Sequence, residues 1–235
     1  MKAELLMLAP LLADYQARLD ERFQRVCAFD EASRRALLSE RPERFTTLVT
    51  NGGEGVPPWL MQALVNLRLI AVNGVGVDRI DLEQAHARGI AIVTTDDLLA
   101  DAVADQAVAL LLAQLRQVCL ADRFVRQGQW PRGGFPLLGT SLRGQRVGII
   151  GLGRIGMAIA QRLQPFGVVL AYHNRRPRAA CTFAYHADPL SLAAACDILV
   201  VAAAGGSGSR HLVNARVLGA LGRNGVIVNV ARGSV

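Results

Sequence analysis

The stretch Val147-Gly-Ile-Ile-Gly-Leu-Gly-Arg-Ile-Gly-Met-Ala-Ile-Ala160 limits what this chain can fold into more than any other. A short apolar run, Gly-x-Gly-x-x-Gly and an alanine-rich segment at helical spacing follow one another without a break. That order describes a buried strand delivered by a tight turn into the N-terminus of a helix. Gly151 permits the turn, Gly153 lets the backbone approach a ligand, and Gly156 lets the helix lie close on the strand. The unpaired N–H groups and partial positive charge of such a helix end suit a pyrophosphate. Three glycines at this spacing also arise by chance, and then mark only a structural strand–helix turn. Context favours the dinucleotide: residues 168–172 form a second strand leading to Asn174, 23 residues after Gly151, where such a fold carries its ribose-reading side chain.

Upstream, residues 1–97 alternate strand and helix. Strands are predicted at 4–8, 26–29, 45–50, 69–72 and 91–94, with helices at 12–23, 31–39, 57–67 and 81–88. Pro57 and Pro58 open the third helix, Gly89 closes the fourth, and Asn51-Gly52-Gly53 is a turn. Repeated β–α units imply a parallel sheet covered by helices on both faces. Ligands of such sheets sit beyond the carboxyl ends of the strands. Two glycine-bearing loops fall there, Thr50-Asn-Gly-Gly53 and Val72-Asn-Gly-Val-Gly-Val-Asp78. The second can offer successive N–H groups to an anion; both read equally well as ordinary turns.

Residues 98–127 are apolar at helical spacing and are predicted as one long helix crossing between two domains, 1–97 and 98–235. A proline- and glycine-bearing connector, 128–136, leads to the glycine loop. Beyond it come strands near 183–185, 197–203 and 225–233, and helices at 189–196 and 214–221. The predicted fold class is α/β, with two Rossmann-like or flavodoxin-like doubly wound parallel-sheet domains.

Composition narrows the function. A hydrophobic content of 51% with 19% charged residues excludes wholesale disorder. No uninterrupted apolar run reaches the ~18–20 residues of a membrane helix, and the N-terminus lacks a convincing cleavage site, so a cytoplasmic protein with no membrane partner is expected. The net charge is +7, but the arginines are scattered and no basic run carries interleaved aromatics, so no nucleic-acid partner is expected. Cys27, Cys119, Cys181 and Cys196 lack metal spacing and read as buried free thiols; no metal is expected.

After the second strand of the glycine-loop domain the chain reads His173-Asn-Arg-Arg-Pro-Arg178. An NAD site places an acid here to accept from the ribose 2′-hydroxyl. Asn174, Arg175 and Arg176 instead suit a 2′-phosphate, so NADP is the preferred cofactor and NAD the other possibility. A charge-assisted contact of about 1.5–3 kcal/mol makes the preference roughly ten- to hundredfold. The plainer alternative is an exposed basic turn.

Several ordered motifs together are more specific. They are Asn73-Gly-Val-Gly-Val-Asp-Arg-Ile-Asp81 with Arg88-Gly-Ile, Val103-Ala-Asp105, Arg126-x-Gly-x-Trp130, the glycine loop and Asn229-Val-Ala-Arg-Gly-Ser-Val235. From about residue 45 onward the chain resembles the D-isomer-specific 2-hydroxyacid dehydrogenases, especially the glyoxylate/hydroxypyruvate and hydroxyphenylpyruvate reductase branch. The resemblance implies reduction of a small 2-oxo acid by hydride transfer from a nicotinamide. The N–H groups of Val75 and Gly76, with Asn51 and Gly52, would bind the substrate. Arg232 would hold its carboxylate and carbonyl oxygen and stabilise developing oxyanion charge. Cofactor contacts are assigned to Val103, Gly151, Gly153, Arg154, Ile155, Gly156, Asn174, Arg175, Arg176, Ala203 and Val230. A homodimer formed around residues 98–135 is implied as well.

The family also uses a histidine that protonates the substrate oxygen and a glutamate that pairs with it, both downstream of the arginine motif. His86, His173, His186 and His211 do not match that motif, and none is assigned as the acid. The expectation is a chain without its C-terminal portion, with a nucleotide domain of five strands, an unpaired edge near 226–230, and little or no turnover. The alternative is a non-catalytic dinucleotide-binding or regulatory module, or an inactive fragment.

Overall fold

A computed structural model describes residues 2–235, apart from the side chains of residues 96 and 97. The chain divides into two compact units, Met1–Leu99 and Ala100–Val235.

The first unit runs β1 (Ala3–Met7), α1 (Ala13–Asp20), β2 (Phe23–Cys27), α2 (Glu31–Glu40), β3 (Thr47–Asn51), α3 (Pro58–Ala63), β4 (Leu69–Asn73), α4 (Leu82–Ala87) and β5 (Ala91–Thr94). Its strands form one parallel sheet in the order β2-β1-β3-β4-β5, reversing direction of travel between β1 and β3. Because helices cover both faces, the last three residues of β1 are buried on both sides: Leu6, with Leu8 just beyond the strand, in one core cluster, and Leu5 and Met7 in the other.

Two of the boundaries that differ from expectation have a visible cause. β2 begins at Phe23, inside the predicted first helix, because pairing from Ala3↔Phe23 to Met7↔Cys27 matches the whole length of β1. α3 stops at Ala63 rather than Leu67. There the Arg88 guanidinium takes the carbonyl of Met61 and, at 2.6 Å, that of Leu64. Leu64 and Leu67 are buried beyond the helix, so their apolar character reports core and not helical continuation.

α5 (Asp96–Leu115) carries the chain into the second unit, followed by α6 (Val118–Arg126), β6 (Arg146–Ile150), α7 (Arg154–Leu163), β7 (Val169–His173), β8 (Ala184–His186), α8 (Pro189–Ala195), β9 (Ile198–Val201), α9 (Ala215–Leu221) and β10 (Val226–Asn229). The second sheet is also parallel, in the order β10-β9-β6-β7-β8, with its reversal between β6 and β9. Among the described residues β10 pairs with β9 alone. At the amino ends of β6 and β9, the Asp197 carboxylate accepts from the Arg146 N–H at 2.9 Å and its guanidinium at 2.6 and 3.1 Å. The guanidinium beside it holds Asp197 below the usual carboxylate range.

The predicted single helix over 98–127 is two helices. Gln117 adopts the left-handed conformation, φ 54°, and breaks it. The cause is a return of the chain: Thr140 donates to the Leu115 carbonyl at 2.8 Å, and Gly139 lies so close that a Cβ there would be 2.8 Å from Arg116 Cα. By length and composition alone the window Leu98–Leu115, mean hydropathy 1.6, matches a membrane span. Ala104, Ala107, Leu111 and Leu115 are nonetheless buried in the core at helical spacing. Asp101 and Asp105 of the same window pair with Arg162 of α7 at 2.9 and 2.6 Å.

The cysteines depart from expectation too. Only Cys196 is buried, and burial pushes its thiol up to about 11. Cys27 closes the edge strand β2 and Cys119 lies on α6, so both are exposed.

Candidate functional site

The three glycines after β6 are held to different demands. Gly151 has φ +96°, and a Cβ there would lie 2.6 Å from both Cα and N of Ala203 at the end of β9. At Gly156, in the first turn of α7, a Cβ would lie 2.2 Å from the Gly151 carbonyl oxygen. These two are required by the chain's own packing, at the point where the strand order reverses. Gly153 has an ordinary φ of −83°, and a Cβ there would meet nothing within 4 Å. It opens on the N-terminus of α7, and among the described residues none accepts from the N–H of Gly153 or Ile155. A space that a side chain would fill, floored by N–H groups at a helix N-terminus, fits the pyrophosphate of a dinucleotide.

The end of β7 is locked onto this loop. Asn174 Oδ1 accepts from the Leu152 N–H at 2.7 Å, which leaves the amide NH2 as the side chain's donor. Arg178 donates to the Leu152 carbonyl at 3.1 Å, and its own N–H donates to the Tyr172 hydroxyl at 2.9 Å. Arg178 was not among the predicted site residues, although its position as the third arginine of the basic run was visible. Arg175 and Arg176 are exposed, and among the described residues neither enters an ion pair. Arg154 is also exposed, at the start of α7.

On the β10 side of the sheet lies a shallow cleft of ≈ 490 Å³. Val103, Gln106 and Leu110 of α5 form one wall, and Asn229, Val230 and Ala231 after β10 form the other. The structure thus brings Val103 and Val230 together. Arg232 lies in the turn after β10, not at the end of a longer strand as predicted, because pairing with β9 stops at Asn229↔Val201. The Asn229 amide shapes that turn, accepting from the Ala231 N–H at 2.9 Å and donating to the Arg232 carbonyl at 3.0 Å. The half-buried Arg232 guanidinium donates to the Ala231 carbonyl at 3.2 Å.

In the first unit, the loops after β3 and β4 lie side by side at the carboxyl end of the sheet. Asn51 pairs in register with Asn73, and a Cβ on Gly74 would be 3.7 Å from the Gly52 nitrogen. Asn51 does not present its oxygen outward: its Oδ1 accepts from the Gly53 and Glu54 N–H groups at 2.9 and 2.8 Å. The Gly74 N–H donates to Thr95 Oγ1 at 2.9 Å. Among the described residues none accepts from the N–H of Val75 or Gly76, which stay open to an anion.

The four histidines are placed elsewhere. His86 is exposed on α4, and His173 is buried with Nδ1 3.0 Å from the carbonyl of His186, the last residue of β8. His211 precedes the Asn214 cap of α9, at φ 53°. None of them lines the cleft beside Val103 and Val230.

Residues 108–235 match the profile of the D-isomer specific 2-hydroxyacid dehydrogenase, NAD binding domain. The chain is 46% identical over 188 residues to 2-ketogluconate reductase of Gluconobacter oxydans, an alignment covering 80% of this chain and 60% of that protein. It is 37% identical over 228 residues to hydroxyphenylpyruvate reductase of Plectranthus scutellarioides, covering 97% and 72%. Among solved structures, the NADPH-dependent glyoxylate/hydroxypyruvate reductase of Sinorhizobium meliloti, in complex with NADP and malonate, superposes with a TM-score of 0.92 at 42% identity. That superposition covers all of this chain and 72% of the Sinorhizobium chain.

Proposed function

Because the chain belongs to the D-isomer specific 2-hydroxyacid dehydrogenase family, we propose that it serves the NADPH-dependent reduction of a small 2-oxo acid, of the glyoxylate or hydroxypyruvate kind, to a D-2-hydroxy acid. The observation that carries this is the open space at Gly153 over the N-terminus of α7, with Arg175 and Arg176 exposed beyond β7. The glycine loop holds the pyrophosphate, the Asn174 amide and the two arginines take the ribose 2′-phosphate, and Ala203, Val103 and Val230 line the remainder of the dinucleotide site. The reduced nicotinamide supplies the hydride. The first unit is the substrate domain: its Val75 and Gly76 N–H groups bind the substrate carboxylate, beside Asn51 and Gly52. Arg232 binds the 2-oxo group and stabilises the oxyanion that develops as hydride arrives, a task suited to a permanently charged fork of donors.

Titrating the protein with each reduced cofactor tests the assignment. NADPH is expected to bind about ten- to hundredfold tighter than NADH, the ratio given by one charge-assisted phosphate contact. Replacing Arg175 and Arg176 by alanine should bring the two affinities together. Equal or tighter binding of NADH by the parent protein would overturn the cofactor preference.

The same proposal includes a homodimer. α6 buries none of its residues, and Val118, Leu120 and Val125 on it are exposed, as are Trp130 in the connector and Leu138 just after it. Apolar surface of this kind suits an interface. Sedimentation velocity should find a dimer, and Leu120→Asp with Val125→Asp should dissociate it; a monomeric parent chain would refute the interface. The exposed free thiols Cys27 and Cys119 suit a reducing compartment, in support of a cytoplasmic location.

A further inference from the structure

Among the described residues Arg34 is the one buried arginine, 5% exposed, and neither the cofactor site nor the assigned substrate groups make use of it. It projects from α2 across the carboxyl ends of three strands. Its Nε donates to the Ala28 carbonyl at 3.0 Å, and its Nη2 to the carbonyls of Leu8 and Phe29, both at 3.1 Å. Leu8 follows β1, and Ala28 and Phe29 follow β2. The remaining nitrogen, Nη1, meets Glu54 Oε1 at 2.7 Å. Glu54 belongs to the loop after β3, so a single guanidinium joins the two strand ends on one side of the β1/β3 reversal to the loop on the other. Ligands of open α/β sheets bind at such a reversal.

The loop itself is tied at both ends and in the middle. Thr50 Oγ1, fully buried, donates to the Gly55 carbonyl at 2.6 Å, and the Gly55 N–H donates to the Asn51 carbonyl at 2.9 Å. Asn51 Oδ1 holds the Gly53 and Glu54 N–H groups. Gly55, at φ +68°, sits so close to Arg79 that a Cβ there would be 2.3 Å from its carbonyl oxygen. All of these bonds are local to the loop or to its closing end. Among the described residues, the Arg34–Glu54 pair is the ion pair that ties this loop to the ends of β1 and β2. A buried guanidinium of this kind also needs a counter-charge, which Glu54 supplies from a partly exposed position.

We infer that Arg34 is a positioning residue: through Glu54 it sets the Asn51-to-Gly55 loop, and with it Gly52 and the adjoining Gly74 loop, in the arrangement that receives the substrate carboxylate. This rests on the assignment of those loops to the substrate. Arg34 acts on the loop through Glu54. Arginine is required because three carbonyls and a carboxylate must be met at once by one planar group, which a lysine ammonium cannot span.

Glu54→Ala and Glu54→Gln in the full chain test this, with Arg34 left in place so that the sheet ends stay joined. Three quantities are read: glyoxylate affinity in the presence of NADP+, NADPH affinity, and amide hydrogen exchange across residues 52–55. Glu54→Ala should weaken glyoxylate about tenfold, the scale of one lost charge-assisted contact, and speed exchange in the loop. NADPH affinity should not change, which shows that the second unit is intact. Glu54→Gln keeps an acceptor at the same reach and should recover most of the exchange protection. If Glu54→Ala leaves either loop exchange or glyoxylate affinity unchanged, the positioning role is overturned. If the parent chain itself fails to bind glyoxylate, the substrate assignment falls instead, and loop exchange alone then decides whether Arg34 fixes the loop.

Discussion

Gly151→Ala is expected to lower the melting temperature by roughly 5–15 °C and abolish NADPH binding, whereas Gly153→Ala should melt like the parent protein and lose only cofactor affinity. The two glycines are two residues apart in one motif, but they answer to different neighbours. At Gly151 the backbone sits at φ +96°, and an added Cβ would be 2.6 Å from the Ala203 backbone, which β9 holds in place. Left-handed strain costs about 1–2 kcal/mol and overpacking against an immovable backbone about 1–3 kcal/mol. The sum is a large part of the stability of an ordinary domain. At Gly153 the backbone is already in a conformation open to any residue, and the space over it is empty of protein atoms within 4 Å. A methyl group there strains nothing and stands where the pyrophosphate must approach, so NADPH should weaken by about tenfold or more. Thermal melts and fluorescence titrations of the two variants separate the effects. A Gly151→Ala protein as stable as its parent, or a Gly153→Ala protein that binds NADPH normally, would contradict the division of roles.

Arg232→Ala should weaken glyoxylate binding in the presence of NADP+ by about a hundredfold or more, with NADPH affinity little changed. Two charge-assisted hydrogen bonds, each worth about 1.5–3 kcal/mol, are lost together. Arg232→Lys keeps the charge without the planar fork and should fall between. The turn made by Asn229 and Ala231 carries Arg232 through its backbone, so truncating the side chain leaves that turn in place. Binding is the readout to use, because it reports the Arg232 contact without passing through the chemical step. An unchanged glyoxylate affinity in Arg232→Ala would remove Arg232 from the site.

The elements that sequence located best are those whose signal is local. The glycine loop, the proline-opened start of α3 and the uninterrupted apolar run of β9 each follow from a few adjacent residues. Where the chain was misread, the deciding partner is distant. Arg88 ends α3 from 24 residues away, and Thr140 marks the end of α5 from the far side of the connector. Cys27 and Cys119 looked buried from their apolar neighbours, but an edge strand and an uncovered helix expose them.

For the site, sequence alone determined the residue types and their order: three glycines before a helix, a basic run after the next strand, an arginine after the last. Those are matters of backbone freedom and charge, which a residue carries wherever it is placed. Only the tertiary structure decided which of them are spoken for. It spends the Asn51 oxygen inside its own turn and turns Asn174 Oδ1 onto Leu152, and it adds Arg178 to the glycine loop and sets Arg34 against Glu54. A hydrogen-bonding group can be satisfied by the protein or offered to a ligand, and which it does depends on what the fold brings within about 3 Å of it.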